Sequence, residues 1–170
     1  MIENTPPRVS GARVIRTALP AETAPVTALH ARARATYYPD GTPEDGTDWA
    51  ANWRRAIERP DGHVLCAVEH GQIIAIASFR TDEGAPTDTV HLFQFHVDPD
   101  LWRRGIGKDL HAACVEQWRA DGKRRATLSV HVDNRRALAF YTAHGWTPDP
   151  DDPPAPGDHH VVLTYTVPGE

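Results

Sequence analysis

The segment Asp98-Pro99-Asp100-Leu101-Trp102-Arg103-Arg104-Gly105-Ile106-Gly107-Lys108 decides how the rest of this chain is read. Before it, Val90 to Val97 is an apolar, β-branched and aromatic run, which Asp98-Pro99-Asp100 stops. After it, Ile106, Leu110, Ala113, Cys114 and Trp118 recur at helical spacing, with Gly122 past the end. A strand thus runs through a tight turn into a helix predicted over about 105–121. Backbone N–H groups at such a helix start lack intrahelical partners, and the helix dipole adds roughly half a positive charge there. A pyrophosphate can be held by those amides. Gly105 and Gly107 remove side chains that would keep phosphate away, while Arg103, Arg104 and Lys108 add attraction. A Rossmann fingerprint would need glycine where this chain has Leu110, and G-x-x-x-x-G-K-[ST] is absent. What is left is a phosphate loop of another type.

The flanking sequence mixes strands and helices. Arg13 to Leu19 reads as a strand and 21–37 as a helix carrying Val26, Leu29 and Ala33. Thr47 or Asp48 can cap a second helix, whose stripe is Trp49, Trp53 and Ile57. Val64–Val68 and Ile73–Phe79 flank His70-Gly71 as a hairpin. Ala126–Val132 is a strand, Asn134 caps a short helix closed by Gly145, and the proline-rich stretch 147–158 is a loop before a last strand, Val161–Val167. The order is β-α-α-β-β-β-α-β-α-β. The unit 90–132 is long enough for a right-handed crossover between parallel strands. No repeat or internal break divides the chain, so we expect a flexible N-terminal arm over 1–12 and a single domain over 13–170.

The chain has 170 residues, 40% of them hydrophobic, which suffices for a core. Mean hydropathy is −0.50 and no run of about 18 apolar residues occurs, so no membrane span is expected. The first residues lack the basic-then-apolar pattern of a secretory signal. The two cysteines, Cys66 and Cys114, have neither disulfide-framework nor metal spacing, which favours a reduced cytoplasm. His159-His160 has no third ligand at suitable spacing, so no metal is expected. A net charge of −5 disfavours nucleic acid as partner. The charge is uneven, however. Segment 102–125 is net +4 and suits an anionic ligand, whereas 39–48 and 147–159 contain acids and no Lys or Arg.

With these motifs in place the chain resembles the GNAT-type N-acetyltransferases, whose acetyl-CoA loop reads [Q/R]-x-x-G-x-[G/A], usually after V-x-P. Val97-Asp98-Pro99 and Arg103-Arg104-Gly105-Ile106-Gly107 fit this pattern, with Trp102 departing at the Gln/Arg position. A second family pattern, N-x-x-A-x-x-x-Y-x-x-x-G-[F/W], is met by Asn134, Ala137, Tyr141, Gly145 and Trp146. The resemblance covers about 60–149. It implies an α/β (α+β) fold: a mixed central sheet of about six to seven strands, splayed near the middle and flanked by about four helices. It implies acetyl-CoA as donor cosubstrate. Phe95, His96 and Val97 would offer backbone groups to the pantetheine arm as an added strand would. Arg103, Arg104, Gly105, Ile106, Gly107 and Lys108 would wrap the pyrophosphate, Asn134 would hydrogen-bond the arm, and Tyr141 would lie near the thioester sulfur. Asn134 and Tyr141 are two helical turns apart on one face, with small Ala137 between them to let a ligand pass.

The implied reaction is direct attack of a primary amine on the thioester. An alkyl ammonium of pKa ~10.4 is neutral in roughly one molecule in 2,500 at pH 7, so its lone pair must first be freed. The amide of Val97 would stabilise the tetrahedral oxyanion. Tyr141, pKa ~10 against ~8.5 for a thiol, would protonate the leaving thiolate as general acid. For the base, the strand position where some members carry glutamate is Ser129, which cannot serve. His131 on the same face, His96 on the other strand, and a water relay are the candidates among ten histidines. The loops that flank the acceptor in this family are the two acid-only segments, so a small or cationic amine is expected, such as a polyamine, an aminoglycoside-like compound or a basic peptide terminus. Tyr37, Tyr38, Trp49 and Trp53 would add aromatic walls, although the two tryptophans also read as a core stripe. A homodimer is left open. The alternative function is a non-catalytic acetyl-CoA-binding sensor or interaction module on the same fold.

Overall fold

The computed structural model describes residues 12–38 and 40–169. The expected N-terminal arm therefore lies, apart from Ala12, outside the described residues. Among the described residues are seven strands and four α-helices, in the order β1 (Val14–Thr17), α1 (Thr23–Ala35), α2 (Trp49–Glu58), β2 (Gly62–Glu69), β3 (Gln72–Arg80), β4 (Thr89–Val97), α3 (Ile106–Ala120), β5 (Arg125–His131), α4 (Arg135–Ala143), β6 (Thr147–Pro148) and β7 (His160–Thr166). One sheet holds all the strands in the order β1-β2-β3-β4-β5-β7-β6. Every neighbouring pair is antiparallel except β4 and β5, which α3 joins as a parallel crossover. This is the mixed sheet with flanking helices implied by the resemblance. Several boundaries differ from expectation by a few residues, and two of the differences have a clear cause. α1 starts at Thr23, because Pro20–Glu22 forms a 3-10 turn first. The stretch 147–158 is not loop throughout, because Thr147 and Pro148 pair with Thr164 and Leu163 of β7.

The sheet is buried on both faces, which is why β2 and β3 carry continuous apolar runs rather than alternation. Along β2, Val64 and Cys66 join Val26, Leu29 and Trp53 under α1 and α2. Leu65 and Ala67 face the other way and join Leu110, Cys114 and Trp118 of α3. Two buried histidines are satisfied alike: Trp53 Nε1 donates to His30 Nδ1 at 3.0 Å, and Trp146 Nε1 to His111 Nε2 at 3.0 Å.

The sheet opens at its centre. β4 and β5 pair only over Thr89–His91 against Arg125–Thr127, and beyond these residues they diverge. The departure coincides with a bulge in β4. Ser78 of β3 faces Gln94 while the next residue, Phe79, faces Leu92, so Phe93 is the extra residue. A bulge bends its strand and raises local twist. The result is a stretch of β4, residues 92–97, with no strand partner on its β5 side.

Candidate active site

β4 delivers free backbone groups to the opening. Asp98 N–H donates to Ile74 O of β3 at 2.8 Å. Backbone groups alternate sides along a strand, so the N–H of Val97 points away from β3, into the gap. The Val97 carbonyl shares that direction and accepts from Trp102 Nε1 at 3.3 Å. The aromatic residue at the Gln/Arg position of the motif thus closes one acceptor on the open edge. Arg136 lies over the Trp102 ring, 3.5 Å from guanidinium carbon to centroid.

The loop that enters α3 is pre-shaped. Gly105, with φ +76°, caps α3, so the N–H groups of Ile106, Gly107 and Lys108 are free at the helix start. The two glycines also serve the chain's own geometry. A Cβ on Gly105 would meet nothing within 4 Å, so its role is the left-handed backbone. A Cβ on Gly107 would come within 3.1 Å of Phe140 Cε2, so its role is to let α3 approach α4. Arg103 also has positive φ, +67°, which a branched-free but non-glycine residue adopts at a cost of about 1–2 kcal/mol. Arg13 ties the loop down from β1: it donates to the carbonyls of Arg104 and Gly105, each at 3.2 Å, and pairs with Glu69 and Asp109.

Two cavities meet here. The larger, about 590 Å³, runs from the loop to the gap and is lined by Phe95, His96, Val97, Trp102, Arg103, Gly105, Ile106, Gly107, Lys108, Asn134, Ala137 and Tyr141 among others. Every residue expected to bind the cofactor except Arg104 is on its wall. Arg135 and Arg136 add cationic lining that no spacing rule singled out. The smaller, about 280 Å³, lies between the splayed strands and α1, and includes His30, Arg34, Tyr38, Trp49, Gln94, Ser129, His131 and His160. The two share Tyr37, Phe95, His96, Asn134, Ala137 and Tyr141 as a common wall.

Asn134 both caps and faces the cavity: its Oδ1 accepts from Ala137 N–H at 3.2 Å, which leaves the amide Nδ2 as donor. Tyr141 is buried among Phe95, Phe140 and Trp146, with ring centroids at 6.1, 5.6 and 5.7 Å. Burial, then Cys114 and Tyr37, raise its phenol above the ordinary value, so it holds its proton at neutral pH. Burial raises Tyr37 in the same direction. His96 sits 4.7 Å from the His30 ring and contacts Gln94 Oε1 through Nε2 at 2.7 Å. Burial first, then His30 and Arg34, lower its pKa to about 3, so it is a neutral imidazole. The amide oxygen opposite Nε2 assigns the proton to that nitrogen, which leaves Nδ1 as acceptor. His131 accepts from Asp133 N–H on Nδ1 at 3.1 Å. His91 is occupied elsewhere, by Thr127 Oγ1 at 2.8 Å. Of the two tryptophans, Trp53 is core, and Trp49 reaches the smaller cavity.

Among the described residues, no group of three or more His, Cys, Asp or Glu side chains is placed to hold a metal ion, and no helix is long and apolar enough to cross a membrane. Cys66 and Cys114 are free and buried.

Known proteins share this fold. The fold is that of the PaiA N-acetyltransferase from Thermoplasma acidophilum, solved in complex with coenzyme A, with TM-score 0.74 at 16% identity over 91% of this chain and 99% of that one. It is also that of the ribosomal-protein-S18-alanine N-acetyltransferase from Escherichia coli, with TM-score 0.71 at 18% identity over 94% and 96%. A curated relative, the mycothiol acetyltransferase of Amycolatopsis mediterranei (strain U-32), is 32% identical over 117 residues, 64% of this chain and 38% of that protein. The chain thus matches well under half the length of that relative. The family model for GNAT acetyltransferases matches residues 26–146, a span that contains the helix start at Gly105, the open edge of β4 and the Asn134–Tyr141 helix, and so the chain belongs to the acetyltransferase (GNAT) family.

Proposed function

We propose that this protein is an amine N-acetyltransferase that moves an acetyl group from acetyl-CoA to a primary amine. The observation that carries the proposal is the common wall of the two cavities, where the open edge of β4 and the Tyr141 phenol separate a cationic cavity from a histidine- and aromatic-lined one. Acetyl-CoA fits the first. The N–H groups of Ile106, Gly107 and Lys108 take the pyrophosphate, with Arg103, Lys108 and Arg136 supplying charge. Phe95 pairs with the pantetheine as an added strand would, and Asn134 donates to its amides. The acetyl group supplies the carbon that is attacked.

The amine enters from the second cavity. As its nitrogen bonds to the acetyl carbon, Val97 N–H receives the oxyanion. The carbon–sulfur bond then breaks, Tyr141 gives its proton to the thiolate, and the proton lost by the amine nitrogen passes through water in the second cavity and restores the phenol. A phenol raised by burial keeps its proton until a thiolate forms beside it. His96, at about 3, is too weak a base to remove a proton from an ammonium, and we assign it the role of hydrogen-bond acceptor that orients the amine. His131 stands on the wall of the second cavity, where it can relay the proton through water. The buried free thiols suit a reducing cytoplasm.

Thiol release from acetyl-CoA, screened over an amine library, tests the proposal. Turnover with at least one amine class is expected. Binding of acetyl-CoA by calorimetry with no release from any amine would instead favour the sensor, for which a second cavity beside Tyr141 has no use.

A further inference from the structure

Arg34 sets the charge of the second cavity. It projects from α1 into that space, its side chain is 14% exposed, and its guanidinium is held between the rings of Trp49 at 5.0 Å and Tyr38 at 5.5 Å. Its ion pair among the described residues is with Asp45 at 3.7 Å, longer than a hydrogen bond, and Asp45 is itself 48% exposed. The fork of donors is oriented but under-used. No Asp or Glu is among the described residues that line this cavity.

Of the acid-only segments, Glu44 and Asp45 line a neighbouring cavity with Arg34, and other acids are committed elsewhere. Asp149 is buried against Arg125 at 2.6 Å, Asp48 caps α2, and Asp152 and Asp158 line a separate cavity with His159 and His160. The expectation of a cationic acceptor rested on those segments. A polyamine in the second cavity would meet a guanidinium with no carboxylate on the cavity wall to offset it.

We infer that the acceptor is an amine that also carries a carboxylate, which the Arg34 guanidinium binds between Trp49 and Tyr38 while the amine faces the shared wall at Tyr141. The inference rests on the acetyl-transfer reading for the amine, and on Arg34 alone for the carboxylate. A planar fork fixed between two rings matches a carboxylate in two parallel hydrogen bonds, and its desolvation makes each one stronger than at the surface. The same charge penalises a second ammonium on the acceptor.

The test compares matched amines in the thiol-release assay: L-phenylalanine against phenethylamine, 4-aminobutyrate against butylamine, and spermidine as the polycation. In at least one pair the acid should have a kcat/KM roughly ten- to hundred-fold above its decarboxylated partner, the range of one charge-assisted contact. In Arg34→Met, which keeps the stem, that ratio should collapse toward one, and Arg34→Lys should recover part of it. Spermidine or the plain amines as the better substrates, or an equal ratio in Arg34→Met, overturns the inference. A calorimetric arm separates the two readings: titration of L-phenylalanine and 4-aminobutyrate into protein saturated with coenzyme A. Arg34-dependent heat without thiol release from any amine would sink acetyl transfer and keep the carboxylate site. The absence of both the heat and the acid-selective release sinks the site.

Discussion

Tyr141 and Arg103 show two ways in which one residue can matter. Tyr141 is buried in the core, and Tyr141→Phe removes one oxygen and little packing. If the phenol is the proton donor, kcat should fall about 10²–10⁴-fold while the KM for acetyl-CoA and the melting temperature change little. Steady-state kinetics with a thermal melt checks this, and unchanged kcat would remove Tyr141 from the mechanism. Arg103 holds φ +67° at the mouth of the phosphate loop. Arg103→Gly should relieve this backbone and raise stability by at most about 1 kcal/mol, because glycine also frees the unfolded chain. It should weaken acetyl-CoA binding through the lost charge. Opposite signs in a melt and in calorimetry are the expected result, and tighter binding would contradict it.

At the scale of elements, the start of α3 is held by contacts from far along the chain. Gly107 lets the helix lie against Phe140 of α4. Gly107→Ala should destabilise the fold by about 1–3 kcal/mol, and Phe140→Leu in the same chain should recover much of the loss. Denaturant unfolding of the single and double variants measures that coupling, and simple additivity would refute the contact as its cause. Arg13 joins β1 to the carbonyls of Arg104 and Gly105. Arg13→Met should loosen the loop and raise the Kd for acetyl-CoA several-fold, with the helix content of the circular dichroism spectrum unchanged. The motif G-x-G disclosed that a loop would be there. That Arg13, some ninety residues upstream, fastens it has no local signature, because the pairing follows from the strand order β1-β2-β3-β4.

The molecule as a whole carries a pH dependence set by its buried histidines. His30 and His111 both have pKa values lowered to about 4, His30 by burial and then Arg34, His111 by burial and then His144. In the unfolded chain each titrates near 6.5. The folded state therefore binds fewer protons between these values, so the stability they contribute is full above pH 6.5 and is lost as pH falls toward 4. Each contributes a slope of at most about 1.4 kcal/mol per pH unit. Urea midpoints at pH 7, 6 and 5 should fall in that order, and His30→Gln should flatten the curve. A midpoint that holds to pH 5 would show that these histidines charge freely in the fold.

Much of this architecture is local in origin. The apolar runs of β2 and β3, the Asp48 and Asn134 caps, the loop at Gly105 and the seven-residue step from Asn134 to Tyr141 can all be read along the chain, because turn chemistry and periodicity act between near neighbours. These features fix the order of elements, the loop before α3 and the family. Folding in three dimensions settled the rest. The bulge at Phe93 opens the sheet, Trp102 closes the Val97 carbonyl, and Arg34, paired with Asp45 of one acid-rich loop, lines the second cavity. Each depends on groups brought together from distant strands and helices. A charge counted along the chain acts only where burial and its partners leave it unpaired.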